Sequence, residues 1–415
     1  GGFNMKITLG ILNTIKGENP VREEVLESIQ DNLDYFDQII FTGNESFFED
    51  SEIEAECLNL DTDNKAVMRN AILENAKNEY IFWMSDTTVL EFDMIPEMME
   101  HFENYQDLDI VYPNMTIVDN SELETPVILQ DLYNKETDLL MSLKIEKYFP
   151  EYGIITKKEL FNKTGRFDEE FEDYEFYNFL YQNIDNIRLR LAEFNYVVIH
   201  HPESFIDTSY RSYGLRKAIK KYPLSKFFPK LNWENENLAL ATAYTSIGDV
   251  LSDYLDYFNA SQHYRQAALS FHNKVSLLKL VNTYYNMGLF DEAKKLSTQD
   301  QGFSEDEIKN LIYQIDKTQE LITAIEKAIE EGKLQKVINS INDVASFYSG
   351  APIYNILGVI EFYGGNKENA YKYFYKAATM NPLDENIIHN LTDMANMLGK
   401  QEKVKGLFKR LLKEV

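Results

Sequence analysis

The stretch NKAVMRNAILENAKNEYIFWMSD, residues 64–86, joins a helix pattern to a buried strand pattern. Its first part repeats apolar residues every three or four positions, and its second part, EYIFWMS, contains a continuous apolar run. Further strand patterns, MKITLGILN, DQIIFTG, AECLNL and LDIVYPN, alternate along the chain with the helix patterns VREEVLESIQDNL and MIPEMMEHFENY. This alternation predicts an α/β domain with a mostly parallel sheet that is covered on both faces.

Three of these predicted strands end in polar segments. They are residues 13–17 after the first strand, 42–45 after the second and 85–88 after the fourth. Parallel strands in such sheets bring their carboxyl ends to the same edge, where ligands bind. We therefore expect the three segments to lie along one ligand-binding rim.

The composition limits the class of protein. The 415 residues include 41 Lys plus Arg and 68 Asp plus Glu, a formal charge of −27 that disfavours binding to nucleic acid. Hydrophobic residues make up 44% of the chain, enough for two or three packed domains. Cys57 is the only cysteine, which indicates a reducing, cytoplasmic setting, and no apolar stretch is long enough to span a membrane. Residues 1–4, ahead of Met5, are expected to be a cloning remnant.

The second half of the chain has a helical period. Residues 210–235 are basic and aromatic and predict a connector helix, and residues 236–415 repeat with a period of about 34 residues. The best copy places Tyr354, Leu357, Gly358, Ala370, Phe374, Ala377 and Pro382 at the offsets typical of tetratricopeptide repeats. Further copies include Tyr244, Leu280 and Leu391. The pattern predicts an all-α tetratricopeptide-repeat solenoid, whose concave surface suits a peptide or protein and whose terminal helices could pair with a second copy of the chain.

The segment GRFDEEFEDYEF, residues 165–176, combines six carboxylates with Phe167, Phe171, Tyr174 and Phe176. Aromatic side chains at this density must be buried, so some of the acids are expected at the edge of a folded site. Residues 168–170 are expected to shape the turn into a helix. Carboxylates beside an apolar wall suit a general base or a divalent-metal ligand, and the later strand pattern VVIHH adds His200 and His201.

Taken in order, these motifs resemble a nucleotide-sugar glycosyltransferase of the GT-A fold, most similar to glycosyltransferase family 2. The resemblance rests on TLGILNTIKGENPVREEVLESI, on the helix with an Arg-Asn pair and its following strand, on GRFDEEFEDYEF and on VVIHH. It implies a Rossmann-like α/β domain over residues 5–209. The implied activity is transfer of a hexosyl or N-acetylhexosaminyl group with inversion of configuration at the anomeric carbon. The fusion to repeats resembles bacterial enzymes that glycosylate proteins or peptides, flagellins among them.

The resemblance also implies roles for particular residues. Asp173 is implied as the catalytic base, with Glu172 or Glu175 as the alternative; the competing interpretation of each is a carboxylate favoured at a helix start. Asp86 and His200 are implied as ligands of Mn²⁺ or Mg²⁺, with His201 as the alternative to His200. The stretch Ser85-Asp86-Thr87 holds one acid where the family pattern has two.

Contacts to the donor, most simply a UDP-sugar, are expected from the rim and from the connector. The implied residues are Asn13, Thr14, Asn44, Arg69, Asn70, Asp86, Arg211 and Arg216. Arg69 is equally consistent with a structural salt bridge, and the connector arginines with a helix that docks the repeats on the first domain. Two other functions stay open, a transferase for cell-surface polysaccharide and a catalytically inactive scaffold that binds proteins.

Overall fold

The computed structural model describes residues 6–119, 123–127, 129, 131–133, 149–202, 206–299 and 302–415. The predicted remnant at residues 1–4 lies outside this part of the chain. Two compact units divide the structure, the first ending at residue 206 and the second beginning at residue 207. Among the described helices, none has the length and apolar content needed to cross a membrane.

The first unit is built on one nine-stranded mixed sheet. Its strands are β1 (Ile7–Leu12), β2 (Phe36–Phe41), β3 (Glu56–Cys57), β4 (Tyr80–Ser85), β5 (Thr88–Leu90), β6 (Ile110–Val118), β7 (Glu124–Val127), β8 (Ile154–Lys157) and β9 (Leu189–His200). The helices are α1 (Arg22–Gln30), α2 (Lys65–Asn75), α3 (Met94–Asn104), α4 (Leu160–Thr164) and α5 (Glu175–Asn183). The strand order is β3-β2-β1-β4-β8-β6-β9-β5, with β7 paired to β6.

The sheet is mixed, so the prediction of a mostly parallel sheet is confirmed only in part. Strands β1 to β4 pair in parallel, as does β6 with β9. Every antiparallel pair involves β5, β7 or β8, three strands of three or four residues that the hydrophobic pattern did not reveal. Segments this short are below the length at which period-two alternation can be recognised.

Helix α2 is held closely against the centre of the sheet. The side-chain oxygen of Asn64 accepts hydrogen bonds from the backbone N–H groups of Ala66 and Val67, which caps the first turn. A β-carbon at Gly10 in β1 would lie 2.7 Å from Ile72 of α2, so only glycine permits this approach. Because α2 follows β3, its first turn lies at the edge of the sheet where the parallel strands end.

The second unit is entirely helical in its described part. Its helices are α6 (Ser209–Lys220), α7 (Leu224–Phe227), α8 (Glu236–Asp253), α9 (Tyr257–Ser270), α10 (Lys274–Met287), α11 (Phe290–Thr298), α12 (Glu305–Glu330), α13 (Leu334–Ala345), α14 (Ala351–Tyr363), α15 (Lys367–Met380), α16 (Glu385–Leu398) and α17 (Gln401–Leu412). Each predicted repeat copy falls on two successive helices. No copy was predicted for α12 and α13, where the structure has a 26-residue helix followed by one of 12.

Two helix pairs share one packing device. A β-carbon at Gly248 in α8 would lie 2.6 Å from Tyr264 of α9, and one at Gly358 in α14 would lie 2.5 Å from Phe374 of α15. Both glycines precede their aromatic partner by the same number of residues, so the two pairs bring their helices together in the same way. This packing accounts for the small residues of the repeat pattern without any role in chemistry.

The ends of the helical unit contact each other. Helix α6 packs against α17, and the buried side chain of Asn259 in α9 donates to the carbonyl oxygen of Leu411, 2.8 Å away. In an open solenoid each repeat contacts only its neighbours. The described helices therefore form a closed arrangement at this point, in which the last helix is covered by an earlier part of the same chain.

Candidate active site

The rim predicted from the sequence is present, and Asp86 organises it. The backbone N–H of Thr14 and its hydroxyl donate to Oδ1 of Asp86 at 3.0 and 2.5 Å, and the N–H of Ile15 donates to Oδ2 at 3.1 Å. With its amide nitrogen facing Asp86, Asn13 donates to Oδ2 at 3.1 Å as well. Burial raises the pKa of Asp86 above its ordinary value, while the hydrogen bonds from Thr14 and Ile15 lower it.

The end of β2 supports the same loop. The backbone N–H of Asn13 donates to the hydroxyl of Thr42 at 3.0 Å, and a β-carbon at Gly43 would lie 2.7 Å from the Asn13 side chain. Asn44 is exposed and caps a short 3-10 turn by accepting from the N–H of Ser46 at 2.9 Å. Gly43 therefore leaves room for the Asn13 side chain, and Thr42 holds its backbone.

The structure brings His200 beside the Asp86 turn. Its backbone N–H donates to the carbonyl oxygen of Thr87 at 3.0 Å, which joins the end of β9 to the residue after Asp86. The His200 side chain faces α1, with Nε2 3.4 Å from Oε2 of Glu24. The backbone of His201 donates to Val118 instead, on the neighbouring strand β6.

The residues at Asp86 do not fit the implied metal ion. Each oxygen of Asp86 already accepts two hydrogen bonds from the loop after β1, which occupies the lone pairs a cation would need. In the described ranges no group of three or more His, Cys, Asp and Glu side chains is placed to hold a metal. Metal binding by Asp86 and His200 stays a prediction.

The acidic segment is anchored by its aromatic residues, as the sequence predicted. Phe167, Phe171, Tyr174 and Phe176 are all buried. Oδ1 of Asp168 accepts from the N–H of Glu170 at 3.0 Å and caps the 3-10 turn Glu169–Phe171, which confirms the expected turn. The aromatic rings are thus buried, whereas the exposed fraction of the acidic side chains differs widely from one acid to the next.

Two asparagines of the α2 region hold this segment in place. The Asn70 side chain accepts from the backbone N–H of Phe167 at 3.0 Å and donates to its carbonyl oxygen at 2.9 Å. The Asn64 side chain donates to the carbonyl oxygen of Glu169 at 2.8 Å. Asn70 is buried and bonded to Phe167, and its predicted contact with the nucleotide stays a prediction.

Arg69 and Glu175 form a buried ion pair. Nε of Arg69 donates to Oε1 of Glu175 at 2.8 Å, and both side chains are 0% exposed. The guanidinium lies between 5.1 and 5.5 Å from the ring centres of Trp83, Tyr152, Phe167 and Phe176. Burial raises the pKa of Glu175 to about 7, against the opposing effect of Arg69. Of the two roles predicted for Arg69, the structure shows the salt bridge.

Asp173 is half-buried, whereas Glu169, Glu170 and Glu172 of the same segment are exposed. Asp173 is ion-paired with Lys65 in the first turn of α2, and its side chain is 27% exposed. Glu172 is exposed and follows the 3-10 turn as its cap residue. Asp173 is therefore held in a fixed place while part of its carboxylate is accessible, which suits a proton acceptor better than a freely moving side chain.

A line of contacts connects Asp173 to the rim. Asp63, just before α2, is 2.5 Å from Lys16 in the loop after β1. Thr14, nearer to β1 in the same loop, donates a hydrogen bond to Asp86. The carbonyl oxygen of Thr87 accepts one from the backbone N–H of His200. The acidic segment, the first turn of α2 and the ends of β1, β4 and β9 thus border one edge of the sheet.

The predicted connector residues lie in the second unit. Arg216 is 4% exposed and donates to the carbonyl oxygens of Arg410 and Lys413, with Asp256 3.7 Å from its Nε. Arg211 lies on the same helix, α6. The charge of Arg216 is therefore used in packing α6 against the end of α17.

Sequence reasoning missed Lys65 and Tyr152. Lys65 precedes Arg69 by four residues, so the two cations share one face of α2, and this spacing was a signal that could have indicated a second ion pair with the acidic segment. Tyr152 lies before β8 with its ring centre 6.0 Å from Nζ of Lys65, and burial raises its pKa. No sequence pattern marked it, because β8 itself was not recognised.

Comparison with known proteins gives a fold likeness at low identity. No protein-family model and no curated protein sequence matches the chain. The crystal structure of S. aureus TarS 1-349 is similar at 10% identity and a TM-score of 0.42, covering 76% of this chain and 92% of that one. TarS 1-349 in complex with UDP-GlcNAc is similar at 11% identity and a TM-score of 0.44, covering 76% and 93%. A further TarS structure is similar at 12% identity and a TM-score of 0.44, covering 74% and 55%. A likeness at these values assigns no function to this chain.

Proposed function

We propose that the first unit is a glycosyltransferase, which moves a sugar from a nucleotide-sugar donor to an acceptor hydroxyl with inversion. The observation that carries this proposal is Asp173, an ion-paired and partly exposed carboxylate at the edge of the sheet where the parallel strands end. Its motif also resembles the segment that holds the catalytic base in family 2. A UDP-sugar is the proposed donor, and a protein or peptide bound by the helical unit is the proposed acceptor.

In the proposed reaction, the acceptor oxygen attacks the anomeric carbon while Asp173 takes the hydroxyl proton. A bond forms between that oxygen and the carbon, and the bond from the carbon to the diphosphate breaks. The nucleoside diphosphate leaves with the electron pair. The donor is proposed to lie against the loop of residues 13–17, whose backbone is fixed by Asp86.

Binding and turnover test this proposal together. A panel of nucleotide sugars, each with and without Mn²⁺, should include one that raises the melting temperature of the full chain and is slowly hydrolysed. Asp173→Asn should keep the stabilisation by that donor and lower turnover by roughly 10²–10⁴-fold, the usual range for losing a general base. Glu170→Gln, a change at an exposed acid of the same segment, is the control and should stay near wild type.

Absence of stabilisation by every nucleotide sugar would contradict the enzyme proposal. It would instead favour the scaffold alternative, which is motivated by Asp86, since all its hydrogen-bonding positions are used within the protein. Hydrolysis without transfer to any peptide, together with transfer to a polysaccharide, would favour the polysaccharide alternative.

A further inference from the structure

Two ion pairs connect α2 to the acidic segment, and they differ in exposure. The Arg69–Glu175 pair is 0% exposed on both sides, whereas the side chains of Lys65 and Asp173 are 19% and 27% exposed. Arg69 follows Lys65 by one helical turn, and Glu175 follows Asp173 by two residues. The segment is therefore attached to α2 by a buried pair and carries a second pair at the surface.

The buried pair and the asparagine bonds attach the segment to α2 at several points. Arg69 binds Glu175, Asn70 binds both backbone groups of Phe167, and Asn64 binds Glu169. The Lys65–Asp173 pair is a further contact beside these, and it places a positive charge against the partly exposed carboxylate.

We propose that Lys65 is a positioning residue for Asp173, which fixes the direction of its carboxylate and favours its ionised, proton-accepting form. This inference rests on the proposed role of Asp173 as the base. It assigns to Lys65 no contact with the sugar or with the reacting atoms.

The charges around the pair explain why a cation is needed there. The carboxylates of Glu151 and Glu175 lie near the pair, and like charges that are close together repel. Lys65 opposes this effect and itself remains an ammonium: burial lowers its pKa, but Asp173 and the other neighbours together hold it well above the ordinary value. The titratable and charged groups that face the pair from the neighbouring elements are Glu151, Tyr152, Glu175 and Arg69.

The pH dependence of the reaction distinguishes positioning from a structural role. Removing the positive charge raises the pKa of a neighbouring carboxylate, and a base must be ionised to act. Lys65→Gln should therefore move the acidic limb of the kcat/KM profile to higher pH, with a loss of about tenfold or more at acidic pH and a smaller loss at alkaline pH. Lys65→Arg keeps the charge and should restore the position of the limb. An unchanged limb in Lys65→Gln would overturn the inference.

A second measurement is independent of turnover. Carboxyl ¹³C signals of the full chain, labelled at aspartate, can be followed against pH, with the Asp173 signal identified by its loss in Asp173→Asn. Its titration midpoint should lie at higher pH in Lys65→Gln than in the wild type. A midpoint that does not move overturns the inference even if no substrate is found, whereas a moved midpoint without turnover would count against the proposed function alone. Matching melting temperatures show that the variant is folded.

Discussion

At the scale of single residues, the pair of Arg69 and Glu175 shows how a buried charge is tolerated in this unit. Neither side chain reaches solvent, and in the described structure Oε2 of Glu175 and Nη1 of Arg69 have no hydrogen-bond partner. The ion pair itself therefore does not fully offset the free-energy cost of removing both charges from water. The four rings around Arg69 contribute further, since each cation–π contact is worth about 0.5–2 kcal/mol.

A double-mutant cycle tests this account of the pair. Arg69→Met leaves Glu175 without its partner in the core, and should lower the free energy of unfolding of the first unit by about 3–5 kcal/mol. Arg69→Met combined with Glu175→Leu should cost less than the sum of the single changes, by about 1–3 kcal/mol. The same cycle on Arg188 and Asp107, an exposed pair with 56% and 50% exposure, is the control and should show less than about 1 kcal/mol. Additive losses at Arg69 and Glu175 would contradict the account.

At the scale of elements, long patterns were predictable and short ones were not. Strands β1, β2, β4 and β6 and helices α1 to α3 all correspond to sequence patterns recognised in advance. Strand β3 was also predicted but has only two residues. The missed strands β5, β7 and β8 depend on pairing partners for their conformation, so their existence is a tertiary property.

The candidate site shows the same division. Burial of the aromatic residues in the acidic segment and the turn at Asp168 followed from local composition. The partners of the acids did not, because Arg69 and Glu175 are 106 residues apart in the chain and no local pattern joins them. Arg69 and Asn70 were predicted to bind the nucleotide; the structure shows both in contact with the acidic segment, and nucleotide binding stays a prediction.

Asn70 links α2 to the acidic segment through the backbone of Phe167. Asn70→Ala leaves the backbone N–H and carbonyl of Phe167 without their partners, which costs about 1–3 kcal/mol for a buried group. Hydrogen exchange of the amides in residues 165–176 should accelerate while exchange in β1 and β4 is unchanged. Asn75→Ala is the matched control on the same helix, since its amide nitrogen donates only to Ala71 one turn away. Equal protection of residues 165–176 in both variants would show that Asn70 does not hold the segment.

At the scale of the whole molecule, each unit obtains its order differently. The first unit places polar loops at one edge of its nine-stranded sheet, and the candidate site is assembled from segments far apart in sequence. The second unit repeats a local helix pair and then departs from simple repetition where α17 meets α6. The repeat pattern in the sequence predicted the repeated helix pairs. It could not predict the contact between α17 and α6, because contacts between the ends of an array leave no periodic signal.

Arg410 is the residue through which this closure can be tested. Its Nε donates to the Ser209 hydroxyl at 2.8 Å, and its Nη2 lies 3.2 Å from both Asp207 Oδ2 and the Tyr375 hydroxyl. Arg410→Ala removes these bonds and should destabilise the second unit by roughly 1–3 kcal/mol, the usual range for hydrogen bonds to a charged group. Amide exchange should accelerate in α6 and α17, but not in α14 or in β1. Lys409→Ala, at an exposed position beside it, should leave exchange unchanged. If α6 keeps its protection in Arg410→Ala, the contact between α6 and α17 does not depend on the Arg410 side chain and is maintained by Arg216 and by apolar packing.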